Sequence, residues 1–280
     1  MNATDRPALR DALADRPILL DAAMGTRLIA EGLDLASDDP ALWMLSHDEA
    51  VFHYHRLDIE AGADAIVTNT FGANRAWLDR FGQGEKTFQT NRNAGFLARV
   101  AAGPSRYVLG SIGPTASDHS SALIEQAEAL LDRRGDVDAF LLETHRLDQA
   151  EAALRILRDF PVPTLASLFA WPDPVAESAR RLIDGGALAI GANCQVGLDA
   201  SLALARKLRA VCDHPLFLKP SAGLPGSRLD PPESFAEAVP EWLDLGVRLL
   251  GGCCGTTEDH VRAMRRAINS LPSHRGRPDG

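Results

Sequence analysis

Three of the chain's four cysteines fall in two short glycine-rich stretches, "GANCQ" around Cys194 and "GGCCGT" around Cys253 and Cys254. Adjacent cysteines bridge each other only with strain. Successive strand residues point to opposite faces, so a Cys-Cys pair is also a poor way to fill a core. The pair suits a point where a strand ends and the backbone bends, turning both sulfurs toward one spot. Three thiolates with one open position describe a catalytic zinc site, and soft sulfur donors select zinc over magnesium or calcium. One zinc ion per chain, on Cys194, Cys253 and Cys254, is the expectation. The flanking Gly191, Gly251, Gly252 and Gly255 are expected to let the backbone bend around it. Cys212, at the end of a helical stretch, is assigned to packing.

A zinc ion with three thiolates carries net negative charge and polarises a carbonyl poorly. It is better suited to a substrate thiol, because a coordinated thiol is deprotonated outright whereas a free one is mostly protonated at neutral pH. Alkyl transfer to sulfur is the reaction that follows. Two other readings stand beside it. Lys219 at a strand tip suits Schiff-base chemistry, although Pro220 follows it and no proton-shuttling constellation is evident. A non-catalytic zinc-binding or thiol-sensing protein would instead show a closed, four-ligand site.

These residues need a scaffold that gathers strand ends. About eight apolar runs recur along the chain: "PILLDAAMG", "DAIVTNTFG", "RYVLGSIGP", "AFLLETH", "PTLASLFA", "ALAIGANCQ", "PLFLKPSAG" and "VRLLGGCCG". They are nearly all apolar before their last residues, as parallel strands buried on both faces are. Helical patterns are expected at 46–61, 120–134, 147–159, 174–184, 199–211, 232–245 and 257–271. The first has Ser46 as its cap and acids in its first turn at Asp48 and Glu49. An extra loop precedes the helix after the second strand. The pattern predicts an α/β fold, a single-domain TIM (β/α)8 barrel, with a lead-in at 1–16, the barrel at 17–271 and a flexible tail at 272–280. A doubly wound sheet calls for a Gly-rich fingerprint after the first strand, which "LLDAAMGT" does not supply. Active sites of such barrels form at the C-terminal strand ends. Asp21, Asn69, Ser111, Glu143, Cys194, Lys219, Cys253 and Cys254 all sit at those ends. Asn69 and Thr70 are expected to fix loops, and His145 is given an exposed position and no role.

Composition bounds the partners. The chain has 280 residues, 45% of them hydrophobic, and a net charge of −9. That charge argues against nucleic acid, which calls for a basic stripe. No apolar run approaches a membrane span, and the polar start lacks the apolar core of a secretory signal. A cytoplasmic location with reduced thiols is expected.

The motifs resemble those of the homocysteine S-methyltransferase family. "GANC" with "GGCCGT" resembles its zinc motifs, "LDAAMGT" its first-strand loop, "VTNTFGA" its second-strand motif and "KPSAGLP" its seventh-strand turn. The resemblance runs from Pro17 to about Ala267. It implies a zinc-bearing barrel that methylates homocysteine to methionine, with Asp21 and Glu143 on the substrate's amino group. The backbone of Ala22, Ala23 and Met24 would face its carboxylate. Ala22 stands where the family usually has Gly, and Ser221 where it usually has Asn. The methyl donor is expected to be a small sulfonium or a betaine, with loops bearing Trp43, Phe71 and Trp77 offering aromatic faces to the cation. A separate methyl-corrinoid protein is the alternative donor.

Overall fold

The computed structural model describes residues 6–115, 120–132, 136–194, 197–224 and 226–271. The expected tail at 272–280 lies outside the described residues. Eight parallel strands form one sheet: β1 (Ile18–Leu19), β2 (Ala65–Val67), β3 (Tyr107–Ile112), β4 (Ala139–His145), β5 (Thr164–Leu168), β6 (Ile190–Cys194), β7 (Leu216–Pro220) and β8 (Val247–Leu250). From β2 to β8 each pairs with its neighbours in sequence, β8 pairs with β1, and an isolated bridge between Leu20 and Ala65 closes the ring. The result is the expected (β/α)8 barrel.

Both faces of the strands are buried, which explains their lack of polar alternation. Ile18, Val67, Leu109, Leu141, Leu165, Phe217 and Leu249 form one apolar cluster inside the barrel. Their chain neighbours Leu19, Ile66, Val108, Leu142, Ala166, Leu218 and Leu250 belong to a second cluster with helix residues such as Ala98, Leu154, Val239 and Met264. This is the two-residue strand period seen from both sides.

The expected lead-in is more ordered than its sequence suggested. Leu9–Asp15 is a helix, and Leu9, Ala12 and Leu13 join the cluster inside the barrel. They plug the end opposite the strand tips.

The helix expected to start at Ser46 runs over Asp48–Ala61 with His47 at its N-cap. The Ser46 hydroxyl is engaged by the Trp43 carbonyl, 3.2 Å away, and by the His47 ring. A short Pro40–Trp43 helix just upstream supplies that carbonyl. The extra loop after β2 folds into a short Arg75–Leu78 helix and two 3-10 turns before the Thr87–Ala102 helix. Among the described residues, no helix is long and apolar enough to cross a membrane.

Candidate metal and substrate site

Strand ends deliver every residue singled out for chemistry to one place. Asp21, Asn69, Ser111, Glu143, Cys194, Lys219, Cys253 and Cys254 all line a single cavity of about 250 Å³ at the C-terminal mouth of the barrel. Ala22, Ala23, Met24 and Phe71 line it too.

The sulfurs converge as their spacing predicts. Those of Cys194, Cys253 and Cys254 lie within 4.8 Å of one another, and Cys194 Sγ is 3.5 Å from Cys254 Sγ. Cys194 reaches this point because its backbone is left-handed, with φ of 65°. The tip of β8 is pinned from two sides. Cys253 N–H donates to Pro220 O at 2.8 Å, and Ala222 N–H donates to Cys254 O at 2.8 Å. Ser221 secures the same turn. Its hydroxyl donates to Cys254 O at 3.1 Å and accepts from Gly223 N–H at 3.1 Å.

Of the flanking glycines, Gly255 has the left-handed backbone that favours glycine, with φ of 79°. Gly191 serves a different purpose. A Cβ there would lie 1.6 Å from the Phe217 carbonyl oxygen, so glycine permits close strand contact behind the site.

Electrostatically the cluster is suited to a cation. Hydrogen bonds from Cys194 and Cys253 pull the Cys254 thiol below the ordinary thiol range. The same sharing, with burial, pushes Cys194 far above the ordinary thiol range. The three sulfurs alone therefore support one thiolate easily and resist further ones. Cys212 lies elsewhere, half-buried against the outer core.

Facing the sulfurs is a carboxylate network. Glu143 Oε1 accepts from Ser111 Oγ at 2.8 Å, and Oε2 accepts from Asn193 Nδ2 at 2.7 Å. Burial raises the Glu143 carboxyl to about 7, with Lys219 opposing. Asp21 Oδ2 accepts from Val67 N–H at 2.8 Å. Its other oxygen lies 2.8 Å from Lys219 Nζ. Burial pulls Lys219 down, but Asp21 and Glu143 outweigh it and keep the lysine above its usual range.

The loop after β1 is held from behind. Arg27 grips buried Asp58 with two guanidinium hydrogen bonds, at 3.1 and 2.6 Å. Ala22 N–H donates to Asp58 Oδ2 at 3.3 Å, and Ala23 N–H donates to Thr256 Oγ1 at 3.1 Å. Ala22 lies outside the left-handed region, so alanine is unstrained there.

Asn69 fixes a loop as expected, donating to Pro40 O at 2.7 Å, and Thr70 donates to Ser111 O at 2.7 Å. His145, expected at the surface, is 3% exposed. Its Nδ1 faces Glu143 O at 3.1 Å, and burial lowers the ring to about 4. It ends β4 and pairs in the sheet with Leu168 of β5, which the chain neighbours of His145 alone did not reveal.

The three aromatic residues divide. Phe71 lines the cavity. Trp43 instead stacks on His47 at 3.7 Å, and Trp77 is covered by Arg80 at 4.5 Å. Asn193, inside the "GANCQ" stretch, and the Arg27–Asp58 pair, which belongs to no motif, were not among the expected site residues. The pairing of Lys219 with Asp21 was equally unseen, since it crosses the barrel.

Among relatives, the methionine synthase of Mycobacterium leprae (strain TN) is 30% identical over 307 aligned positions, covering 93% of this chain and 25% of that protein. The methionine synthase of Mycobacterium tuberculosis is likewise 30% identical, over 94% of this chain and 25% of its own length. The chain thus spans about a quarter of these synthases. The homocysteine methyltransferase MmuM of Escherichia coli in its metallated form is 26% identical with a TM-score of 0.76, covering 93% of this chain and 99% of that one. Its oxidized form superposes with a TM-score of 0.78 at 24% identity, covering 93% and 99% of the two chains. The homocysteine S-methyltransferase pattern matches residues 18–268, nearly the whole barrel, and the chain belongs to that family.

Proposed function

We propose that this chain moves a methyl group onto the sulfur of homocysteine, giving methionine, with one zinc ion held by Cys194, Cys253 and Cys254. The observation carrying this reading is the convergence of three sulfurs in a cavity that Asp21 and Glu143 also line. The donor set fits the ion: three soft ligands leave a fourth position for substrate, and a cation removes the cost of ionising all three thiols. When bound, the ion holds the substrate sulfur as a thiolate at neutral pH.

The chain's own residues then orient the substrate. Asp21 and Glu143 face its amino end. The loop of Ala22, Ala23 and Met24 borders its carboxylate end, with the first two amides already committed to Asp58 and Thr256. The thiol proton is released to solvent water on binding. In transfer, the sulfur electron pair forms the new S–C bond, and the old bond to methyl breaks with its pair on the donor.

A small sulfonium or betaine donor is supported by the acidic mouth and by Phe71 as an aromatic face. A second reading, delivery by a separate methyl-corrinoid protein, is favoured by exposed apolar side chains on the loops after the strands: Phe71, Phe169, Leu224 and Leu229. The test is methionine formation by zinc-loaded protein from homocysteine with S-methylmethionine, betaine or a methyl-corrinoid. Product with a small donor supports the first reading, and product with methyl-corrinoid alone supports the second. No product with any donor, and no uptake of homocysteine, overturns both.

A further inference from the structure

Lys219 is 5% exposed and is the one lysine or arginine among the described residues lining the cavity. Its ammonium lies 2.8 Å from Asp21 Oδ1, an oxygen with no other hydrogen bond among the described residues. Glu143 and Cys253 also act on it electrostatically. The lysine thus stands at the carboxylate pair that the family resemblance gives to the substrate's amino group. Two buried carboxylates without a cation would be costly, because an unpaired charge away from water is strongly disfavoured. In a cavity lacking such a lysine, the substrate's ammonium would relieve that cost and the gain would appear as selectivity for amino-bearing thiols. Here Asp21 has that relief built in before any substrate arrives, while Glu143 is held by the neutral donors of Ser111 and Asn193. Asp21 is further committed through its second oxygen to Val67 N–H, and both Glu143 oxygens hold donors from Ser111 and Asn193.

We propose that Lys219 sets thiol specificity: it supplies from within the chain the positive charge that Asp21 would otherwise draw from a substrate ammonium. The cavity then accepts small mercapto-carboxylates lacking an α-amino group alongside homocysteine. This inference rests on the methyl-transfer reading of the site, since it assumes a thiol substrate.

The test is calorimetric titration of the zinc-loaded protein with homocysteine and with 4-mercaptobutyrate, which differs only in lacking the amino group. In the unaltered protein the two dissociation constants should agree within about threefold, less than one charge-assisted hydrogen bond is worth. In Lys219→Met, with zinc content and circular dichroism as controls, homocysteine should gain a preference of about tenfold or more. A tenfold or greater preference for homocysteine in the unaltered protein overturns the inference while leaving the methyl-transfer reading intact, and it needs no variant. A Lys219→Met protein that weakens both thiols equally also overturns it, since the lysine would then serve the shared carboxylate or the fold. Failure of both thiols to bind the zinc-loaded protein overturns the methyl-transfer reading and this inference with it.

Discussion

Asn193 Nδ2 lies 2.7 Å from Glu143 Oε2, and Asn193 is the residue immediately before Cys194. One strand end therefore presents a thiol to the sulfur cluster and an amide to the pocket carboxylate. The other end of the same amide, Oδ1, accepts from Ser167 Oγ and from Thr144 N–H. Asn193→Ala removes all three interactions at once. Each is worth about 1–3 kcal/mol when its buried partner is left unpaired. Urea unfolding should show a loss of at least about 2 kcal/mol, with zinc content unchanged. A fully stable variant would show that these groups find other partners.

Zinc content separates the cysteines. Cys194→Ala, Cys253→Ala and Cys254→Ala should each lower bound zinc well below one per chain, while Cys212→Ala keeps it. Elemental analysis after dialysis reads this directly. Full retention in all three cluster variants would remove the metal site.

His55 is fully buried and neither ring nitrogen has a partner among the described residues. Burial holds its ring at about 4, against an ordinary 6.5, with Asp21 raising it and Arg27 and Lys219 lowering it further. Between those values the unfolded chain binds a proton that the folded chain refuses. The contribution is therefore complete above pH 6.5 and is lost as pH falls toward 4, by roughly 3 kcal/mol. His55→Leu should flatten that part of the acid limb. Stability curves between pH 4 and 7 that run parallel for the two proteins would disprove the assignment.

Breaking the pair behind the loop after β1 should be costly. Asp58 is 0% exposed, and Arg27→Met leaves its charge unpaired at a cost of about 3–5 kcal/mol. Adding Asp58→Leu should recover part of that loss, because paired apolar replacements tolerate burial better than one stranded ion. Thermal unfolding of the single and double variants decides it.

The sequence made the barrel and the sulfur site legible for one physical reason. Parallel strands buried on both faces read as unbroken apolar runs, and reactive residues stand out where those runs stop. Asp21, Glu143 and Cys194 were visible in that way. What stayed hidden depends on distances across the barrel. The 2.8 Å contact between Lys219 and Asp21 joins β7's end to the loop after β1, and no local pattern encodes it. His145 looked exposed because a polar residue at a strand end usually is, while its burial at 3% exposed belongs to tertiary structure. Ser46 was a sound cap by residue type, but the short helix before it captured its hydroxyl.

The closing bridge between Leu20 and Ala65 gives the ring unequal stiffness. β6 is laced to β7 from Ile190 through Cys194, so the sulfur side of the mouth is rigid. The β1–β2 seam has a single ladder bridge, and side chains make up the difference: Leu19 N–H donates to Asp64 Oδ2 at 2.9 Å and Val67 N–H to Asp21 Oδ2 at 2.8 Å. Amide exchange should be slowest along β6 and β7. Two buried carboxylates thus do at the seam what the strand ladder does between β6 and β7.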